Sequence, residues 1–217
     1  MSSLIAIDIE ENDNLMNLDG LSSLDIEEPI RVKILDNYSL KQIDGLAGLR
    51  GVIDLSIISN IELENIDGLS NVTTFTGDVL VHSNVELENI NGLQNLQIVE
   101  GDLFIYFNES LLNLDALSNL TKVHDDVGIS NLNFSINLEA LSNVTEINGR
   151  LNLTNNNFST LEGLNNPTII GDGVNIYGND NLDDFCALQN TVIEGQYYVQ
   201  MNQYNPSLED LSNGNCN

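Results

Sequence analysis

The residues with chemical potential in this chain are mostly carboxylates. It carries 33 Asp and Glu against 6 Lys and Arg, with two His and two Cys, for a formal net charge of −27. Asp54, Asp78, Asp102, Asp125-Asp126 and Asp172 each stand just before a short apolar run. Carboxylates stacked at strand spacing repel one another, and a hard cation with oxygen ligands would relieve that repulsion. Calcium is therefore the one cofactor these acids suggest, with solvated turn acids as the simpler expectation. His82 and His124 stand at non-equivalent places and do not form a metal pair, because ligands must converge on one point. There is no phosphate-binding Gly-rich loop, no Cys-x-x-Cys and no His-Glu-x-x-His, and no Ser/His/Asp spacing suggests a nucleophile. The expectation is a protein that is not an enzyme.

The charge narrows the partners. A surface this acidic repels phosphate backbones and anionic lipid, so neither nucleic acid nor a membrane surface is an expected ligand. No run approaches the length of a membrane-spanning helix, and Met1 to Ile5 lacks the basic and long apolar regions of a signal peptide.

What must position these residues is a repeat. Leu18-Asp19-Gly20-Leu21 returns as Ile43-Asp44-Gly45-Leu46, Ile66-Asp67-Gly68-Leu69, Ile90-Asn91-Gly92-Leu93, Leu114-Asp115-Ala116-Leu117, Leu138-Glu139-Ala140-Leu141 and Leu161-Glu162-Gly163-Leu164. A worn copy follows at Phe185-Cys186-Ala187-Leu188. The interval is 23–25 residues. A period of this size predicts a repeat solenoid, here a right-handed β-solenoid of about nine coils with a parallel sheet of short strands. The whole chain, 1–217, reads as one repeat domain. Residues 1–12 read as a truncated or uncapped first coil, and 184–217 as a C-terminal cap.

In each copy an apolar pair at alternate positions should point inward. The pairs are Ile5/Ile7, Val32/Ile34, Leu55/Ile57, Val79/Val81, Leu103/Ile105, Val127/Ile129, Leu151/Leu153, Val174/Ile176 and Tyr197/Val199. Three residues after the pair stands Asn37, Asn60, Asn84, Asn108, Asn179 or Asn202. A buried amide there can donate to a carbonyl of one neighbour and accept from the amide of the other, which predicts a structural ladder. Leu132 replaces that Asn in one copy, and Asn155, Asn156 or Asn157 supplies it in the next. A bulge or shifted turn is expected there. Gly101 before Asp102 should make a tight turn through positive φ, the small residue of the repeated motif should admit a neighbouring coil, and the acid before it should cap a short helical turn. Cys186 and Cys216, both at the C-terminal end, suggest a disulfide staple, against the alternative of two free thiols.

The remaining alternate positions face solvent. Leu35, Ile58, Leu80, His82, Phe104 and Tyr106 make the middle of that face more apolar than an exposed sheet requires, which marks a binding strip.

Val99-x-x-x-Leu103-x-Ile105-x-x-Asn108-x-x-Leu111 resembles the leucine-rich repeat. With its Gly-Asp before the strand and the extra residue after Asn, it is more similar to the receptor L-domain-like variant. The ending, from Asp184-Phe185-Cys186 to Asn213-Gly214-Asn215-Cys216, resembles the C-terminal caps of such proteins secreted by Bacteroidetes-type bacteria. The resemblance implies a secreted or cell-surface module for adhesion or recognition of a protein or glycan, and it brings no catalytic residues. The expected alternative is a structural spacer that self-associates through its first coil.

Overall fold

The computed structural model describes residues 5–132, 136–167 and 169–217. Among the described residues fifteen strands occur, all paired in parallel: β1 (Ala6–Glu10), β2 (Ile30–Leu35), β3 (Gly51–Ile58), β4 (Thr74–Phe75), β5 (Val79–His82), β6 (Ile98–Val99), β7 (Leu103–Tyr106), β8 (Lys122–Val123), β9 (Val127–Ser130), β10 (Glu146–Ile147), β11 (Arg150–Thr154), β12 (Ile169–Ile170), β13 (Gly173–Tyr177), β14 (Val192–Ile193) and β15 (Gln196–Gln200). A five-residue helix, α1 (Leu208–Ser212), closes the C-terminal end.

The strands fall into two rows. The main row runs β1-β2-β3-β5-β7-β9-β11-β13-β15, and a minor row of two-residue strands runs β4-β6-β8-β10-β12-β14. The long β3 belongs to both, because Gly51 and Val52 pair with β4 while Leu55 to Ile58 pair with β5. From β3 onward each coil thus contributes one segment per row, which is the β-solenoid expected from the period.

The inward pairs stack along one dry interior. From Val32/Ile34 to Val174/Ile176 every member is almost fully buried. The first coil corrects the expected register. Its inward pair is Ile7/Ile9, aligned with Val32/Ile34, and Ile5 is 75% exposed. Asn12, three residues after Ile9, then takes the ladder position. Three alternating isoleucines left the choice open, and the Asn settles it.

The ladder forms, with one correction: each amide donates to and accepts from the backbone of the same, preceding coil, not one neighbour on each side. Asn60 donates from Nδ2 to Ile34 O at 2.9 Å, and its Oδ1 accepts from Asn37 N at 3.2 Å. Asn84 repeats the arrangement with Ile57 O and Asn60 N. Asn37, Asn60, Asn84, Asn108 and Asn179 are wholly buried. The residue before each ladder position holds a left-handed conformation, with φ between 52° and 58° at Glu11, Asp36, Ser59, Ser83, Phe107, Asn131, Asn155 and Met201. Such a conformation costs a side-chain-bearing residue roughly 1–2 kcal/mol, and the amide bonds across the corner offset it. In the two irregular copies Asn156 enters the ladder, donating to Ile129 O, and Leu132 occupies the other place. The expected bulge is absent from β9 and β11, which stay in register with β7 and β13. The corner φ at Asn131 and Asn155 also matches the other coils. Asn133, part of that expectation, lies outside the described residues.

The small residue of the repeated motif admits the neighbouring coil. A Cβ on Gly45, Gly68 or Gly92 would lie 1.7–2.0 Å from Leu18 O, Ile43 O or Ile66 O. The motif forms a 3₁₀ turn in seven coils. The acid begins that turn, but no side-chain cap bond is made. The capping side chain stands two residues earlier: Asn17, Asn65, Asn113 and Asn137 accept from the backbone N–H of Asp19, Asp67, Asp115 and Glu139 at 3.0–3.1 Å.

The C-terminal end is closed by chemistry expected and unexpected. Cys186 and Cys216 form a disulfide. Asn205 supplies from within the chain the acceptor that a further coil would offer, taking Asn202 N at 3.1 Å. Ser207 and Asp210 form a capping box on α1.

Truncating Asn84 to Ala strands Asn60 N and Ile57 O, so it is expected to cost roughly 2–5 kcal/mol. Asn71, exposed and bonded through Nδ2 to Ala47 O, is the control, with an expected cost of about 0.5 kcal/mol. Urea unfolding of both variants measures the difference.

Candidate functional site

Alternation on the main row creates three outward columns. The first is Asp54, Asp78, Asp102, Asp126 and Arg150, continuing to Gly173 and Gln196. Each carboxylate accepts the backbone N–H of the next coil: Asp102 N reaches Asp78 Oδ1 at 2.9 Å, Asp126 N reaches Asp102 Oδ1 at 2.8 Å, and Arg150 N reaches Asp126 Oδ1 at 2.6 Å. This is the role of the Gly-Asp pairs. Gly77 and Gly101 do not take a left-handed φ. They are small because a Cβ would meet Asp54 Oδ1 at 2.2 Å or Asp78 Oδ1 at 2.1 Å. The expected positive-φ turn is replaced by a close approach between coils.

The acid column differs from the expected one at its last member. Asp172 aligns with Gly149 and Asp125, whose carbonyls and amides link those coils, and stands outside the carboxylate ladder. Stacked carboxylates are held by backbone donors instead of by one another, and partial burial, then the neighbouring Asp78, Asp126 and Asp125 charges, push the Asp102 carboxyl above its ordinary range against the lowering bond from Asp126. Among the described residues, no group of three or more metal-ligating side chains converges. His82 lies on the outward face of β5, whereas His124 follows β8 of the minor row and contacts Glu100 at 2.7 Å.

The second column is Ser56, Leu80, Phe104, Gly128, Asn152, Asn175 and Tyr198. The third is Leu35, Ile58, His82, Tyr106, Ser130, Thr154, Tyr177 and Gln200. Leu35, Ile58, Leu80, His82, Phe104 and Tyr106 are thus brought together on adjacent strands β2, β3, β5 and β7, all half-buried. Phe104 and Tyr106 stack with ring centroids 5.2 Å apart and planes 19° apart. His82 meets Tyr106 edge-on at 6.1 Å.

Comparison of the chain with models of known families, with curated proteins and with solved structures finds no match. The site is therefore built from its own geometry. Tyr106 leans onto β9, where a Cβ on Gly128 would lie 1.8 Å from its hydroxyl. Gly128 and Ser130 are buried although they face outward. Desolvation, reinforced by Asp126 and Asp102, pushes the Tyr106 phenol up to about 12. Desolvation lowers His82, which favours its neutral form on the strip.

β7 ends at Tyr106, and the left-handed corner turns Phe107 out to 43% exposure, 5.3 Å from the His82 ring. Tyr177 and Tyr198 were legible as outward positions but not as a pair. They stack at 6.1 Å with planes 22° apart, further along the same face.

Because the Asp102 carboxyl is raised, its contribution favours the fold below the ordinary carboxylate range and is lost as pH rises through the raised value. Asp102→Asn keeps an oxygen for Asp126 N–H. It is expected to raise the melting temperature at pH 7, with the gain vanishing near pH 3, as read by thermal scans across pH. Gly128→Val is expected to displace Tyr106 and bring its titration down from about 12 toward the ordinary tyrosine range of about 10, as read by ultraviolet pH titration against wild type.

Proposed function

We propose that the chain is a non-catalytic, exported recognition module that binds its partner through the outward face of the main row. The observation that carries this reading is the strip Leu35, Ile58, Leu80, His82, Phe104 and Tyr106, contiguous across four neighbouring strands and set in two columns without a carboxylate from Ser56 to Gln200. In a chain of net charge −27 such a clear strip stands apart from its surroundings. An apolar patch rimmed by polar groups is the usual form of a contact surface, and aromatic rings are its common anchors.

The Cys186–Cys216 disulfide supports export to an oxidising compartment, and no helix among the described residues is long and apolar enough to cross a membrane. The similarity of the coil to receptor L-domain-like leucine-rich repeats supports a secreted or surface setting.

One observation favours a second reading, a spacer that assembles end to end through its first coil. Gly20 has nothing within 4 Å of a built Cβ, where later coils meet a carbonyl of the coil before. The edge of β1 thus has the shape of a surface that accepts another strand. The first coil carries Asp8, Glu10, Glu11 and Asp13, and like charge opposes pairing of that edge with the same edge of a second copy.

The test is a double variant, Phe104→Ala/Tyr106→Ala, on glycan and purified-protein arrays. Binding is expected to fall at least tenfold while the far-ultraviolet dichroism is unchanged. Equal binding by variant and wild type would contradict the proposed face.

A further inference from the structure

We infer that the ligand of this face is a neutral polysaccharide, lying along the solenoid axis on a track between two aromatic platforms. The inference rests on the binding reading above and specifies its partner. Register places Tyr106, Ser130, Thr154 and Tyr177 in one column, and Phe104, Gly128, Asn152, Asn175 and Tyr198 in the next. The stacked pair Phe104/Tyr106 therefore begins the track, and the stacked pair Tyr177/Tyr198 ends it. Between them Tyr106 covers Gly128 and Ser130 on β9, and half-buried Asn152, Thr154 and Asn175 on β11 and β13 offer amides and a hydroxyl to the track.

From Tyr106 to Tyr177 is three strand steps, or about 14 Å at the usual strand spacing. A pyranose in an extended chain advances by about one such step, so successive sugars fall in phase with successive strands. Ring faces at both ends suit the C–H faces of sugars, and side-chain hydroxyls and amides suit their hydroxyl groups. A protein partner would not need uncharged hydrogen-bonding residues repeated in register between the rings.

Charge selects the class of polymer. The two track columns hold no Asp, Glu, Lys or Arg from Ser56 to Gln200. The flanking Asp102 and Asp126 each commit Oδ1 to a backbone donor and keep their negative charge beside the track. The same carboxylates repel uronate and sulfated polymers.

Affinity electrophoresis decides the matter, using gels that contain hydroxyethylcellulose, xyloglucan, galactomannan or a β-1,3-glucan, with polygalacturonate and alginate as anionic controls. Wild type is expected to be retarded by at least one neutral polymer and by neither anionic one. Tyr106→Ala and Tyr177→Ala are each expected to weaken that binding at least fivefold, and Ile98→Ser, on the minor row, to leave it unchanged. Dichroism confirms that each variant is folded. Retardation by no neutral polymer, or retardation insensitive to Tyr177→Ala, overturns the inference. If the purified-protein array then reports binding that depends on Phe104 and Tyr106, the recognition face stands and only the polysaccharide falls. If neither polymer nor protein senses these residues, both fall.

Discussion

The structure depends on one constraint: a tight corner must be turned at the same place in every coil without leaving backbone polar groups dry and unpaired. The buried Asn column meets it. Each amide bridges its own corner and the backbone of the preceding coil, so a coil is incomplete without its neighbour. Among the described residues, no buried side-chain nitrogen or oxygen lacks a partner. Because the corner is paired from inside, the residue before it is free to vary, and Glu11, Ser59, Phe107 and Met201 all occupy that strained position.

The same economy recurs at the other corners. Asp54, Asp78, Asp102 and Asp126 bond the next coil's backbone along one edge of the main sheet. Asn71, Asn95, Asn119 and Asn143 reach back to carbonyls of the preceding coil along another. Polar side chains thus do the inter-coil work at the corners, and aliphatic side chains do it inside. The outward face of the main sheet is released from structural duty, and there the chain gathers its aromatic pairs and, from Ser56 to Gln200, omits carboxylates from two columns.

Much of this was legible in the sequence, and particular residues explain where it was not. A strict period and a strict alternation fix the inward pairs, the Asn column and the six strip residues, because a slip of one residue would bury the wrong side chain. The first coil was misplaced by two residues because Ile5, Ile7 and Ile9 satisfy the alternation equally. Gly101 was given the wrong reason: sequence marks that a small residue is needed, but not whether φ or a neighbouring carboxylate requires it. Asn17, Asn65 and their counterparts escaped notice because the capping role was assigned to the acid two residues later. Phe107 escaped because alternation fails at a left-handed corner. Leu132 looked like a break in the coil, yet the strands on both sides hold their register.

Amide hydrogen exchange at single-residue resolution tests the central claim most directly. The backbone N–H groups of Asn37, Asn60 and Asn179 donate to Asn side chains in the next coil and should exchange as slowly as those of the strand interiors, such as Ile105 and Ile129. Exchange of these amides at the rate of open surface turns, while the strands remain protected, would contradict the account.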